Sequence, residues 1–571
     1  MTSGTFPGFL SALASVQGPA IAGAPEEPIL DVQEIQGSIL VGFNKDYQHF
    51  IFFQITKPTV AKSWLRLLIP HIATLDETLA FRRLFRALRA RRAAEPTGVI
   101  ATWVNVAFSY EGIRKLTSDD EAKKFASEAF KKGLAERSSI LGDPTDPSAE
   151  GNPKNWVVGN AKSRPDILLL VASDSPIALK NEIKRIKEEI KNLQGAPPGL
   201  RATAGLRILF EQPGANLPSG LAGHEHFGFK DGVSQPGIRG RVPGGEQNFL
   251  TPRLVDPQDA HSLRFAKPGQ PLIWPGQFVL GYPLQAESDD LNPAPPSSDR
   301  PPWPDWARNG SFLVFRRLRQ DVGGFWRFAS AQANLLKQKP GFEGMTPERF
   351  ASLLVGRWPS GAPIMRTPEK DIGDLARNSV ANNNFRFSEN TEPILLRSDV
   401  PHHSDNFPQA IADAKGVRCP FAAHIRKVNP RDDTTDLGGG KRTLRRRILR
   451  RGIPYGSPLE NPLTAIDDKV DRGLLFLSYQ TSIEEQFEFL MQNWANSPKV
   501  PKDYDQDSHV AGQDPVIGQS QSDEGRSRFF TLSGSDGSLY TIDLSRDFVI
   551  PNGGDYLFTP SIAALKDVLA S

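Results

Sequence analysis

The amino-acid sequence predicts an α+β fold of two ferredoxin-like βαββαβ units, with antiparallel sheets and peripheral helices. Two observations lead to this class. In the first half of the chain, strand-like runs alternate with segments in which apolar and charged residues recur at helical spacing. In the second half, two stretches repeat a strand and the helix that follows it, and such internal similarity is typical of a duplicated unit.

The strand-like runs of the first half are rich in β-branched and aromatic residues. They lie at 39–56, 99–108, 166–173 and 204–211. Helical spacing covers 61–93, 111–133 and 175–193. Ser175 stands at the start of the last segment, where a serine side chain can cap a helix. The resulting order of strand, helix, two strands, helix and strand is that of a ferredoxin-like unit.

The second half repeats parts of this plan. An aromatic strand followed by a tryptophan-bearing helix occurs in HFIFFQITKPTVAKSWLRL from His49 and in SFLVFRRLRQDVGGFWRF from Ser311. A strand, a Ser/Thr corner and an Ile-led helix occur in RPDILLLVASDSPIALKNEI from Arg164 and in DRGLLFLSYQTSIEEQFEFL from Asp471. We therefore expect a loosely ordered arm at 1–34, a first unit at 35–222 and a second unit with long loop insertions at 223–571.

Composition excludes several classes of protein. The 571 residues carry 68 Lys and Arg against 65 Asp and Glu, and a net charge of +3 attracts neither nucleic acid nor an anionic membrane. No run of about eighteen apolar residues is present, so we expect no membrane span. The stretch before Glu26 lacks Lys and Arg and is no clear signal peptide. We expect a soluble chain, extracellular if it is a processed form and otherwise cytoplasmic.

The single cysteine, Cys419, limits the chemistry further. One cysteine excludes an intramolecular disulfide and any zinc or iron–sulfur site built from several thiolates. We expect Cys419 to be a small buried apolar residue rather than a reactive thiol.

The segment GFKDGVSQPGIRG, residues 228–240, places one acid between glycines. Gly228 and Gly232 permit backbone angles and close approaches that side chains forbid, so the turn can aim Asp231 into a ligand pocket. The alternative is an ordinary Asp-Gly turn in which the carboxylate binds nearby backbone.

A second constellation comprises CPFAAHIRKVNPR, residues 419–431, and RRRILRRGIPYG, residues 445–456. His424 follows small or apolar residues that would let a flat macrocycle approach. In the arginine run, strand alternation places Arg450 on the face of Ile448 and opposite Leu449 and Arg451. A similar run, FRRLFRALRARR at 81–92, fits a surface helix without a function.

The combination of GxxDG, AAHIRKxNPR and ILRxGxPYG resembles the dye-decolourising peroxidase family, and its fungal-type members most closely. The resemblance runs from Gln36 to the C-terminus. It implies a dimeric α+β barrel that binds haem b mainly through the second unit, in a monomer or weak homo-oligomer. It also implies a peroxidase that reduces hydrogen peroxide while oxidising aromatic donors such as dyes and phenols, through a ferryl intermediate.

The same resemblance implies roles for individual residues. His424 would be the proximal haem ligand, and the neighbouring Arg426 would pair with the haem propionates. Asp231 would be the distal acid–base, and Arg450 would stabilise cleavage of the O–O bond.

Further roles follow from the resemblance for residues outside the three motifs. Leu474 and Phe476 would restrict access above the haem. Asp514 would accept a hydrogen bond from the proximal imidazole, with Glu484 or Glu485 as alternatives. Tyr455 and Trp494 are candidates for surface radicals that oxidise bulky donors.

Three alternatives stay open at this point. The chain could bind or handle haem with weak peroxidase turnover. It could be an empty scaffold in which Asp231 and Arg450 form a structural ion pair. It could also hold haem through the thiolate of Cys419.

Overall fold

The computed structural model describes residues 23–92, 98–193, 205–287, 291–296, 300–399, 405–464, 468–501, 511–519 and 528–571. Its central feature is a nine-stranded antiparallel sheet, to which each half of the chain contributes one ferredoxin-like set of strands. Among the described helices, none combines the length and apolar character that a bilayer span needs.

The first unit has the predicted order of elements. Its strands are β1 (Tyr47–Ile55), β2 (Thr102–Phe108), β3 (Ile167–Ser173) and β4 (Leu206–Ala215), paired in the order β2-β3-β1-β4. Its helices are Pro58–Leu68, Leu75–Arg92, Tyr110–Leu116, Asp119–Lys123, Glu128–Lys132 and Pro176–Leu193. Ser175 caps the last helix by accepting a hydrogen bond from Ala178 N, as predicted.

The prediction of one continuous helix at 111–133 is wrong, because three short helices occupy this stretch. Ser109, Ser118 and Ser127 each accept a hydrogen bond from the first turn of one of these helices. A serine that bonds forward to the backbone ends the preceding helical path and begins a new one. The apolar spacing alone did not reveal these restarts.

Short strands connect the two units. They are β5 (Gly237–Ile238), β6 (Phe265–Lys267), β7 (Gln270–Ile273), β8 (Leu284–Gln285) and β9 (Pro293–Ala294). The proline-rich stretch 284–306 contains two of these strands, and its Trp306 packs edge-on against Phe125. This tryptophan belongs to the core beneath the helices of the first unit.

The second unit repeats the plan of the first. Its strands are β10 (Ser311–Gln320), β11 (Leu449–Arg450), β12 (Ile453–Tyr455), β13 (Gly473–Gln480) and, after the hairpin β14 (Arg528–Ser533) and β15 (Leu539–Leu544), β16 (Val549–Thr559). Both β11 and β12 pair with β13, and the sheet continues through β10 to β16. Its helical segments are Val322–Leu336, Pro347–Val355, Gly373–Arg377, His424–Val428, Ile483–Glu488, Leu490–Ala495, Ile562–Ala564 and Leu565–Leu569. The predicted duplication is therefore confirmed.

The two sets of strands form the predicted α+β barrel. At one seam, Phe558 of β16 pairs with Phe108 of β2. At the other, β4 packs on β12, where a Cβ added to Gly214 would lie 2.8 Å from Ile453 Cγ2. Only a glycine permits this close approach of the strands.

Strand alternation separates the inside of the barrel from its outside. Along β1, Phe50 and Phe52 belong to the interior cluster, whereas Ile51 and Phe53 pack under the helices. A third cluster around the helices Val322–Leu336 and Pro347–Val355 supports the loops of the second unit. β2 and β3 are buried on both faces in the same way, whereas β4 keeps three exposed side chains.

The prediction of a loosely ordered arm at 1–34 is wrong for residues 27–32, which are packed against the rest of the protein. Residues 1–22 lie outside the described residues, but Leu30 and Val32 are buried in the interior cluster. Glu27 is also buried and accepts hydrogen bonds from Arg239 at 3.2 Å and from Arg253 at 2.7 Å. A carboxylate that neutralises two buried cations anchors this segment.

Candidate active site

A cavity of about 280 Å³ lies within the second unit. Asp231, Arg450 and His424 line it together, although they are far apart in the sequence. Its other lining residues all lie at or after position 225, and apolar side chains form much of its wall, including Leu318, Leu474, Phe476, Phe487 and Val549.

Asp231 is held by the glycine-framed turn that the sequence predicted. Gly228 and Gly232 have φ of +94° and +70°, and no atom lies within 4 Å of a Cβ added to either, so conformation rather than space requires glycine. Asp231 Oδ1 accepts hydrogen bonds from Gly232 N at 2.6 Å and Arg450 Nη1 at 3.0 Å. Among the described residues, nothing donates to Oδ2. The turn thus uses one carboxylate oxygen and leaves the other available.

Arg450 is fixed from several sides. Its Nη2 donates to Ser234 O at 3.0 Å, and its backbone exchanges hydrogen bonds with the side-chain amide of Gln235. About a third of each side chain of the Asp231–Arg450 pair remains exposed. Ile448 lines the same cavity, whereas Leu449 is buried in the barrel interior, so the predicted strand alternation is confirmed.

His424 begins the helix His424–Val428 and is oriented by a buried carboxylate. Its Nδ1 donates to Asp514 Oδ2 at 2.8 Å. Asp514 Oδ1 in turn accepts from Val516 N and Ile517 N at 2.8 and 3.0 Å. This arrangement commits Nδ1 to the carboxylate, and within the described part of the chain Nε2 has no partner. Nε2 is therefore the ring atom free to bind a metal.

The alternative partners suggested for the imidazole lie elsewhere. Glu484 accepts hydrogen bonds from Ser127 Oγ and Ala129 N, both at 2.8 Å. Glu485 forms an ion pair with Arg446. Of the three candidates, only Asp514 contacts His424.

The structure contradicts the expectation that Arg426 faces the same ligand as His424. Its guanidinium is fully buried, with Nε donating to Asp433 Oδ2 at 2.7 Å and Nη1 to Cys419 O at 2.7 Å. Two positions along a helix correspond to a rotation of roughly 200°, so neighbours at this spacing point in opposite directions. Arg426 is a structural cation that ties the segment after Cys419 to the helix.

Other arginines supply positive charge to the cavity. Arg431, Arg446 and Arg447 line it, and Nε of both Arg446 and Arg447 is buried without a hydrogen-bond partner in the described residues. Burial, with Arg431 nearby, lowers the pKa of Arg447 to about 9. Buried N–H groups of this kind need hydrogen-bond acceptors, and a carboxylate bonds a guanidinium more strongly than a neutral acceptor does. A haem fits the site, because its carboxylates would meet these guanidiniums, its iron would meet His424, and its ring would meet apolar walls.

Leu474 and Phe476 lie on β13 and line the cavity, while Leu475 between them is buried in the barrel interior. The ring of Phe476 lies 5.8 Å from that of Phe487. The alternation of β13 therefore directs two apolar side chains into the cavity that Asp231 and Arg450 also line. Their role in restricting access above the haem stays a prediction.

Neither Tyr455 nor Trp494 lies at the surface, and the expectation of surface radicals is corrected accordingly. Tyr455 is 2% exposed and Trp494 is 0% exposed. Arg317 lies 4.1 Å above the ring of Tyr455, and the indole nitrogen of Trp494 donates to Asp436 Oδ1 at 3.0 Å. The sequence pattern could not show this, because strands and helices are covered on both sides here.

Cys419 belongs to the third core cluster and has no exposed surface. Burial raises the pKa of its thiol, which keeps the sulfur protonated. A thiolate ligand requires the opposite, so the geometry gives no support to ligation through Cys419.

Glu225 is a site residue that the sequence analysis missed. It borders the cavity near Asp231, and its carboxylate accepts hydrogen bonds from Phe227 N at 2.8 Å, from Phe229 N at 2.9 Å and from the side chain of Gln320. These bonds shape the loop that ends in Asp231. Burial, with a contribution from the charge of Asp231, raises the pKa of Glu225 to about 7. The available signal was an acid two residues before the Phe-Gly turn.

We expect the raised pKa of Glu225 to make stability depend on pH. Between pH 4.5 and about 7, the folded protein binds a proton on Glu225 that the unfolded chain has released. The free energy of unfolding contributed by this group is therefore fully present below pH 4.5 and is lost as pH rises through about 7. The loss is on the order of 3 kcal/mol, at roughly 1.4 kcal/mol per pKa unit.

Glu225→Gln should remove this slope, since glutamine does not titrate. Urea unfolding of the wild type and the variant from pH 4.5 to 8 measures the difference directly. Glu128→Gln, at an exposed helix position, serves as the control and should parallel the wild type. Parallel curves for Glu225→Gln would show that Glu225 has an ordinary pKa.

Known proteins resemble this chain over both of its units. Profiles of the DyP dimeric alpha+beta barrel domain and of the Dyp-type peroxidase C-terminal domain match residues 34–195 and 397–514. A dye-decolorizing peroxidase of Mycetinis scorodonius is 32% identical over 96% of this chain and 90% of its own length. One from Auricularia auricula-judae is 29% identical over 96% of this chain and 91% of its own length.

Solved structures show the same likeness. An ancestral D-type dye decolorizing peroxidase has a TM-score of 0.72 and 32% identity, covering 95% of this chain and 100% of that one. A single-site variant of the enzyme from Pleurotus ostreatus has a TM-score of 0.73 and 30% identity at the same coverage. With this fold, both domain profiles and relatives that span nearly all of it, the chain belongs to the dye-decolourising peroxidase family, whose members are haem enzymes that use hydrogen peroxide to oxidise donors.

Proposed function

We propose that this protein is a haem b peroxidase that oxidises aromatic donors such as phenols and dyes. Each hydrogen peroxide takes two electrons from donors and two protons, and yields two waters. The observation that carries the proposal is one cavity that holds both the Asp231–Arg450 pair and His424, whose Nδ1 is bound to Asp514.

Haem b fits this proposal better than a covalently attached haem. The buried position of Cys419 in the third core cluster leaves no thiol at the cavity to attach a porphyrin vinyl group. His424 Nε2 would ligate the iron, and Arg431 and Arg447 would pair with the carboxylates. When bound, the haem would supply the iron that binds peroxide and takes up its oxidising equivalents.

The remaining chemistry belongs to the chain. Asp231 Oδ2 would take the proton from the near oxygen of peroxide and return it to the departing oxygen, which leaves as water. Arg450 would hold the carboxylate in place and supply N–H groups to the charge that develops on the departing oxygen. Leu474 and Phe476 would admit peroxide and exclude bulky donors.

Bulky donors would then be oxidised through the protein. We propose Trp494 as a buried relay, because it shares a helical segment with Leu490 and Met491, which line the cavity. Its indole N–H reaches Asp436, an exposed residue. Trp494 would give one electron to the oxidised cofactor, and the donor would then return one electron to Trp494 and be oxidised by one electron.

Asp514→Asn should keep the fold and lower turnover by about 10- to 100-fold, because the partner of a ligating histidine sets both its orientation and its basicity. We also expect a higher reduction potential of the iron, since the imidazole loses a negative partner. Spectroelectrochemistry of the reconstituted protein measures the potential. Glu484→Gln is the control, because that acid contacts Ser127 and Ala129 instead. Equal potentials in Asp514→Asn and the wild type would contradict the role of Asp514.

The test of the proposed function is an absorption spectrum of haem-reconstituted protein before and after one equivalent of peroxide. We expect rapid conversion in the wild type, slow conversion in Asp231→Ala, and a displaced or lost Soret band in His424→Ala. A pyridine extract of the cofactor identifies haem b. A haem spectrum that peroxide leaves unchanged would instead indicate a haem-handling protein.

A further inference from the structure

A second cavity, of about 330 Å³, adjoins the Asp231–Arg450 pair. Asp231, Gln235, Arg450 and Leu474 line both cavities. The rest of its wall includes residues of the first unit, among them the loop that follows Ser38 and the basic helix Leu75–Arg92. It is therefore the place where the first unit reaches the candidate active site.

Arg451 contributes an uncompensated positive charge to this cavity. It donates only to main-chain oxygens of the described residues, namely those of Ser38 at 3.4 Å, Ile39 at 3.1 Å, Leu40 at 2.5 Å and Arg450 at 2.9 Å. Carbonyl partners hold the guanidinium in place but do not neutralise it.

Arg82 adds a second charge of the same sign. It donates to Gly42 O at 3.2 Å and to Val41 O, and it forms no ion pair with any described residue. Burial, followed by the charge of Arg82, lowers the pKa of Arg451 to about 9. Both side chains lie against Gly42, because Arg82 donates to Gly42 O and a Cβ added to Gly42 would lie 2.5 Å from Arg451 Cδ. Of the other cations that line the cavity, Lys45 is paired with Asp174 and Arg450 with Asp231.

The acids of this cavity do not offset the two arginines. Asp231 is paired with Arg450, and Glu225 is held by backbone amides and Gln320. Apolar side chains complete the wall, including Phe43, Leu170, Ile453, Leu474 and Leu477. A site with two adjacent free cations beside an apolar wall suits an aromatic molecule that carries a carboxylate.

We propose that the second cavity binds small phenolic carboxylates, with the carboxylate between Arg82 and Arg451 and the ring toward Leu474. This inference rests on the proposed peroxidase function and names a donor class for it. Each bound phenol would give up one electron and its phenolic proton, and two such donors would supply the two electrons that one peroxide consumes. The base beside the ring would be Asp231.

A matched pair of donors tests the proposal, namely 3-(4-hydroxyphenyl)propanoate and its methyl ester. Calorimetric titration without peroxide gives the Kd of each, and steady-state kinetics give kcat/KM. We expect Arg82→Gln to weaken carboxylate binding by about tenfold and leave ester binding unchanged, since one partly buried charge is lost. Arg82→Lys keeps the charge and should restore most of the binding.

Arg83→Gln is the matched control, because the neighbouring Arg83 donates to Asn248 and is not part of the cavity wall. If the carboxylate and the ester respond equally to Arg82→Gln, the proposal is wrong. If the wild type binds the carboxylate selectively but consumes no peroxide with either donor, the proposed function fails while the binding site stands. If the wild type consumes peroxide with both donors but binds the carboxylate and the ester equally, the binding-site proposal fails while the proposed function stands.

Discussion

Asp231→Asn is expected to lower kcat/KM for hydrogen peroxide by about 10²- to 10⁴-fold, the usual contribution of a positioned acid–base group. The amide oxygen can still accept from Gly232 N and Arg450 Nη1, so the turn should persist. What is lost is the ability to take a proton, which an amide cannot do at neutral pH.

Stopped-flow measurement of peroxide consumption gives this rate independently of the donor. The control is Asp374→Asn, which removes the charge of an exposed aspartate that is also paired with an arginine, Arg377. A near-normal rate in Asp231→Asn would mean that another group moves the proton. Glu225 lines the same cavity and is the next candidate, and Glu225→Gln would then carry the defect.

Arg450→Ala is expected to lower the same rate by about 10²- to 10³-fold, the cost of removing one donor that stabilises developing charge. The substitution also frees Asp231 Oδ1 and removes the bond to Ser234 O. Arg450→Lys should lie between Ala and the wild type, because a single ammonium keeps the charge but cannot span both acceptors as the planar fork does.

The Asp231–Arg450 pair also allows a test of cooperation. If the two residues act as a unit, the double variant Asp231→Asn/Arg450→Ala will be little slower than the worse single variant. Arg377→Lys serves as the control for a change at an exposed arginine. If Arg450→Ala lowered the free energy of unfolding but left the peroxide rate intact, the pair would be a structural ion pair only.

Much of the fold could be predicted from the sequence because the duplication is visible in it. Trp64 and Trp326 occupy corresponding helices of the two units, each following an aromatic strand. The helix restarts at Ser118 and Ser127 were missed, because local side-chain capping overrides apolar spacing.

The site was predictable where one motif contains both the residue and its geometry. Asp231 and its glycines are such a case. Arg426 was misplaced because two residues on one short helix turn need not share a partner, and the acid that holds it, Asp433, lies in the following loop. The place of Arg82 in the wall of the second cavity could not be predicted from the sequence, since its carbonyl partners lie about 40 residues earlier in the chain.

The two units of the duplicated fold contribute unequally to the two cavities. Every described residue that lines the first cavity lies at or after position 225, whereas the second cavity also uses Ser38, Arg82 and Leu170 of the first unit. Mutations in the first unit can therefore alter which molecules reach the acid–base pair without disturbing the groups that would hold the cofactor. In a duplicated barrel of this kind, the second unit would be conserved because it would bind the cofactor. The first unit could change more freely, and such changes would alter the preference for donors.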